Sequence, residues 1–211
     1  MTTHLYPGLN LGEAHGEDHE RSETVVFGFW VFLMSDLIFF GMLFATYLVM
    51  RDSTAGGPGP KELFDLTSVS LQTAALLFSS LTCGMATLAM KHDEKGDSPV
   101  VPRSVGLWLV VTLCFGLMFL FFEIRDFLEM FAAGSTPMRS GWMSAFTALV
   151  GLHGLHITVG LIWIMVLINQ IEMKSLEGVI KRRVMIWALY WHFLDIIWIG
   201  IFSVVFLGGM L

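Results

Sequence analysis

Charge is scarce in this chain. Asp, Glu, Lys and Arg make up 14% of 211 residues while hydrophobic residues make up 55%, and the mean hydropathy is +0.70. Soluble domains carry about a quarter charged residues, so a water-soluble globule is excluded and lipid is the expected solvent. Cysteine is scarcer still: Cys83 and Cys114 are the only two, each inside an apolar run, where a free cysteine serves as a small hydrophobe. That excludes a disulfide framework, a paired-cysteine copper site and a Cys-x-x-Cys-His haem attachment signal. Basic residues are outnumbered, 12 to 18, for a net charge of −6. The excess sits largely in the amino-terminal tail, and nothing favours nucleic acid. The first 26 residues also lack the short apolar core of a signal peptide.

What is present is long uncharged runs. A helix crossing ~30 Å of hydrocarbon needs ~20 largely apolar residues, and its backbone must satisfy its own polar groups. Five runs meet that requirement: 27–50 (with one charge, Asp36), 69–90, 105–122, 142–171 (uncharged, with His153 and His156) and 184–207 (with His192 and Asp195). The fold predicted is an all-α membrane protein, a bundle of five transmembrane helices over 27–211. Residues 1–26 are expected to form a polar, disordered tail, whose His4, His15 and His19 receive no role.

The loops set the orientation. Arg21, Lys91, Lys95, Arg103, Lys174, Lys181, Arg182 and Arg183 fall on one side, and Arg51, Lys61, Arg125 and Arg139 on the other, together the 12 basic residues. By the positive-inside rule the amino terminus is cytoplasmic and the carboxyl terminus periplasmic. Ala55-Gly56-Gly57-Pro58-Gly59-Pro60 is a turn-rich external connection. The other loops are too short for a domain with its own core.

Ionisable side chains at the bilayer centre cost ~2.5–3.5 kcal/mol each, so they face the bundle interior and find partners. At ~1.5 Å per residue, Asp36, His192 and Asp195 lie roughly 12–16 Å into their runs, and His153 and His156 fall in the same middle zone. A single polar layer is expected. His153 and His156, like His192 and Asp195, are three apart and share a helix face, so each pair can meet the other across an interface. Trp191 and Trp198 flank Asp195 at helical spacing, and an indole N–H is a suitable donor to a buried carboxylate. Ala145, Ala148, Gly151 and Gly154 form a small-residue series that permits close helix approach. Asp36 has no other acid on its helix and reads either as a hydrogen-bonded helix contact or as a proton-responsive group near another subunit. Glu123, at the end of the third run, reads as a solvated helix end.

The segments Phe27-Gly28-Phe29-Trp30-Val31-Phe32-Leu33-Met34-Ser35-Asp36, His153-Gly154-Leu155-His156 and Tyr190-Trp191-His192-Phe193-Leu194-Asp195-Ile196-Ile197-Trp198 resemble, in order and spacing, the subunit III family of haem-copper respiratory oxidases. The resemblance spans about Phe27 to Leu207. Cytochrome c oxidase members usually have seven spans. The ubiquinol oxidase members of the cytochrome bo type have five and a polar amino-terminal tail, which this chain is similar to. Thr54 to Pro58, Lys61 to Phe64 and Leu77-Phe78-Ser79-Ser80 look like the same branch. Gln72 departs from it, since related sequences tend to carry Glu there.

The resemblance implies a bacterial inner-membrane complex that oxidises quinol, reduces oxygen to water and moves protons outward. Its haems and copper are expected in subunit I, with no cofactor or metal in this chain. Subunit III would pack against subunit I, belong with subunits II and IV, bind phospholipid, and support assembly, stability and proton uptake. By position, Asp36 and Glu123 match acids of the family, and His153, His156, Trp191, His192, Asp195 and Trp198 its buried polar motifs, as interhelical or lipid-cleft residues. The residues agree: a haem with a binuclear copper site needs about six histidine ligands, and the membrane region supplies His153, His156 and His192. The rival readings are a subunit III of a cytochrome c oxidase or nitric oxide reductase, a haem-binding electron-transfer protein ligated by His192 with His153 or His156, and a transporter using Asp36 and Asp195, which the lack of repeats disfavours.

Overall fold

A computed structural model describes residues 16–56, 65–91, 100–174 and 178–210, with side chains described for 24–56, 65–90, 103–173 and 179–210. The elements are α1 (Gly16–Met50), α2 (Leu66–Lys91), α3 (Val100–Ala132), α4 (Gly141–Lys174) and α5 (Gly178–Ile201). The last helix widens into a π-helical turn, Phe202–Leu207, and closes at Gly208–Met210. Among the described residues, five stretches are long and apolar enough to cross a membrane, as the runs require.

Local chemistry sets the ends. Asp65 begins α2, its carboxylate accepting from the Thr67 N–H at 3.0 Å, and Ser140 begins α4, its Oγ accepting from the Met143 N–H at 3.1 Å. Both satisfy amides that a helix start leaves unpaired. α3 stops at Gly134, which takes φ +77° while the Ser135 N–H returns to the Met130 carbonyl and the Gly134 N–H to that of Phe131, a Schellman closure.

Two boundaries differ from expectation. α3 runs to Ala132 instead of ending at Phe122, because the charged residues beyond Phe122 remain good helix formers and only Gly134 offers the left-handed turn. α1 begins at Gly16, ahead of the apolar run that opens at Phe27. The expectation for residues 1–15 lies outside the described residues, as does that for Gly57 to Pro60.

The helices pack in three layers. α2 and α3 pair as a hairpin, α2 leaning on α5 and α3 on α4; α4 and α5 pair in the middle, and α1 lies on their far side. The middle layer therefore meets protein on both faces. Trp142, Trp187, Trp191 and Trp198 are all fully buried along it. α1 is the least enclosed, with large apolar side chains such as Phe27, Ile38 and Val49 facing outward.

The carboxyl end of α1 holds the end of α5. The Tyr47 hydroxyl donates to the Val205 carbonyl at 3.4 Å and the Arg51 guanidinium to the Gly208 carbonyl, while the Trp142 indole N–H approaches the Tyr47 hydroxyl at 3.5 Å. A π-helical turn loosens the backbone ladder, and these side chains satisfy carbonyls there. Arg51→Met is expected to cost that turn about 1 kcal/mol, so amide exchange over Phe202–Met210 should quicken about fivefold while that of α2 stays unchanged.

Candidate functional site

Polar contacts run across all five helices. On the outer side of the middle layer, α1 meets α4: Asp36 Oδ2 lies 3.8 Å from His156 Nε2, and His156 Nδ1 donates to the Leu152 carbonyl at 2.8 Å. That backbone bond holds the ring with Nε2 toward α1. The Tyr190 hydroxyl donates to the His156 carbonyl at 2.9 Å, bringing α5 into the same contact. Asp36 is therefore not solitary; its neighbour comes from another helix.

Between the layers, His153 is fully buried and stacks on Trp198 with ring centroids 5.3 Å apart and planes at 28°. Phe119 approaches edge-on at 6.0 Å and Phe40 at 6.5 Å, so aromatic rings from three other helices enclose the imidazole. Neither ring nitrogen has a hydrogen bond among the described residues. Glu123 is buried too, at 4% exposure, with both carboxyl oxygens unbonded. The solvated reading of Glu123 is thus corrected: α3 continues past it, so the residue lies inside the bundle. Its carboxyl rests on α4 at Gly154, where an added Cβ would come within 2.7 Å of Oε1.

On the inner side α5 meets α2. His192 Nδ1 lies 2.9 Å from Ser80 Oγ and 3.6 Å from Asp195 Oδ2. The indole N–H of Trp191 donates to Ser79 Oγ and that of Trp198 to Thr73 Oγ1, each at 3.0 Å. The expected donation of these tryptophans to Asp195 is corrected, since α2 turns a hydroxyl-bearing face toward α5 and takes both. The expected meeting of the two paired motifs is corrected as well. His156 turns to α1 and His192 to α2, and only His153 reaches across, by stacking. Of the two glycines in the small-residue series, Gly154 makes a close approach, whereas an added Cβ at Gly151 would meet nothing within 4 Å.

Two features escaped the sequence. Gly116 on α3 and Gly160 on α4 grip the Trp191 ring, an added Cβ lying 3.0 Å from it at the first and 2.9 Å at the second. Trp187 stacks on the same ring at 5.3 Å and donates to the Gly160 carbonyl at 3.0 Å. A glycine inside an apolar helix of a tryptophan-rich chain was the available signal. The second feature is a knot at the α2–α3 end: Asp126 Oδ2 accepts from Ser68 Oγ at 2.7 Å and Gln72 Nε2 at 2.6 Å, and Oδ1 from Arg125 at 2.9 Å. Gln72 thus serves as a donor.

Chemically, this arrangement cross-links helices. The three intramembrane histidines have separate surroundings: one is sealed among rings, one faces α1 and one faces α2.

Comparison with known proteins extends over nearly the whole chain. Residues 12–210 match the family described as cytochrome c oxidase subunit III. The chain is 42% identical over 211 residues to the cytochrome bo(3) ubiquinol oxidase subunit 3 of Pseudomonas aeruginosa, covering 100% of this chain and 98% of that protein. It is 44% identical over 193 residues to the protein of the same description from Pseudomonas putida, with 92% and 90% covered. The quinol oxidase subunit 3 of Bacillus subtilis is 37% identical over 202 residues, with 94% and 96% covered.

Proposed function

The chain belongs to the cytochrome c oxidase subunit III family, and from that premise we propose that, as the subunit III of a bacterial quinol oxidase, it carries no redox centre and uses its intramembrane acids and histidines to hold helices and neighbouring subunits together. The quinol branch follows from the relatives, which are named as quinol oxidase subunits at 37–44% identity. Haems and copper belong to a partner, subunit I, with subunits II and IV completing the complex and phospholipid filling its clefts. The amino terminus is cytoplasmic, the carboxyl terminus periplasmic, and the membrane is the inner one.

The observation that carries this reading is the divergence of the three histidines. His156 is oriented by Leu152 toward Asp36, His192 by Ser80 and Asp195, and His153 is stacked on Trp198. Each is used in joining helices, which is what an accessory subunit needs from a costly intramembrane group. Copurification in mild detergent tests it, since a haem-bearing partner should accompany the chain. Asp36→Ala should leave the haem content of that complex intact, while shortening its active lifetime under continuous turnover at least about twofold, in keeping with an interhelical contact of about 0.5–1 kcal/mol. Loss of haem, or iron bound stoichiometrically to this polypeptide alone, would refute the division of labour.

A further inference from the structure

His192 keeps one edge of its ring inside the protein and the other outside it. Nδ1 faces Ser80 and Asp195 at 2.9 and 3.6 Å. Nε2 has no hydrogen bond among the described residues, and the side chain is 42% exposed. The last candidate membrane span, α5 with the turns that follow it, runs from Val179 to Met210; at ~1.5 Å per residue, His192 lies roughly 20 Å into roughly 48 Å of helix. The imidazole therefore opens near the middle of the bilayer, where acyl chains offer no hydrogen bond and polar groups normally face protein.

Around it the surface is apolar and unobstructed. Leu77, Leu81 and Leu88 on α2 and Ile196 and Ile199 on α5 all point outward. Gly84, one turn on from Ser80, would carry a Cβ into open space. A small residue beside a polar one in a leucine seam is the pattern by which transmembrane helices approach closely.

We propose that this α2–α5 face seats a transmembrane helix of another polypeptide in the complex, one that presents a hydroxyl, amide or indole donor to His192 Nε2. The donor follows from the ring's inner contacts. Nδ1 has Ser80 Oγ at hydrogen-bond distance, with the Asp195 carboxylate beside it; a proton on Nδ1, donated to Ser80, leaves a lone pair on Nε2. A phospholipid brings only acyl chains to this depth, whereas a helix can place a donor there. The inference rests on the reading of the chain as one subunit of several, and it adds a face and a contact that the family assignment does not specify.

A photoreactive benzophenone amino acid at Leu88, at the edge of the seam, tests the face in native membranes containing the whole complex. It should attach to another polypeptide of that complex. His192→Leu is compatible with lipid and should lower the yield about three- to fifteenfold, and His192→Gln, which keeps an acceptor, should restore most of it. A probe that labels only lipid or quinone overturns the proposal, as does a yield unchanged by His192→Leu. Either result leaves the subunit assignment standing, provided the wild-type chain copurifies with its haem-bearing partner; failure to copurify overturns both.

Discussion

Trp191→Ala is expected to destabilise the bundle by about 3–5 kcal/mol, the largest loss from any single substitution considered in this chain. The indole lies where α3, α4 and α5 meet, fully buried, between Gly116 and Gly160 and stacked on Trp187. Between helices in lipid, packing must carry the association that water drives in soluble proteins, and removing this ring empties the centre of the contact. It also removes the donor to Ser79. Unfolding of the purified complex, followed by tryptophan fluorescence during SDS titration, measures the loss. Gly160→Ala attacks the same contact from the other side, because its Cβ would lie 2.9 Å from a rigid ring, costing about 1–3 kcal/mol. In the Trp191→Ala background the two closest clashes are gone and Tyr190 Cε1 at 3.2 Å is the tight neighbour left, so the double substitution should cost at least about 1 kcal/mol less than the sum. Additivity within about 0.5 kcal/mol would show that the glycine serves some other contact.

The five helices were legible because crossing a membrane demands length and absence of charge, and both are visible in a run of residues. Their ends were not. Hydropathy reports contact with lipid, whereas a helix continues until its backbone finds a stop, and α3 passes Glu123, Arg125, Asp126 and Glu129 before Gly134 supplies one. The identity of the buried polar residues was legible for the same energetic reason, but their partners were not. A spacing of three places His153 with His156, and His192 with Asp195, on a helix face without naming the helix opposite. With α1 and α2 on opposite sides of the middle layer, two motifs that could have met turn apart. The tryptophans were rightly read as donors; their acceptors depended on Ser79 and Thr73, ordinary residues of α2 that stand out only once α2 is known to lie against α5.

Gln72 gains a physical reason from its partner. Its amide donates to Asp126 Oδ2 at 2.6 Å, and it is almost fully buried. Gln72→Glu replaces that donor with a carboxylate facing another carboxylate at the same separation. At neutral pH the substitution is expected to cost about 2–4 kcal/mol, since the contact is lost and like charges are left close together in a poorly hydrated site. The matching exchange on α3 should reverse most of this. With Asp126→Asn added, the amide sits on α3 and the carboxylate on α2, and the donor–acceptor pair is rebuilt in the opposite sense. Asp126→Asn alone weakens the contact with Arg125, which is 42% exposed, so that part of the change is small. The double substitution should therefore unfold later in SDS than Gln72→Glu alone, with a coupling of at least about 1.5 kcal/mol. If the double is no more stable than Gln72→Glu, the 2.6 Å contact does not stabilise the α2–α3 hairpin, and Ser68 and Arg125 must hold Asp126 without it.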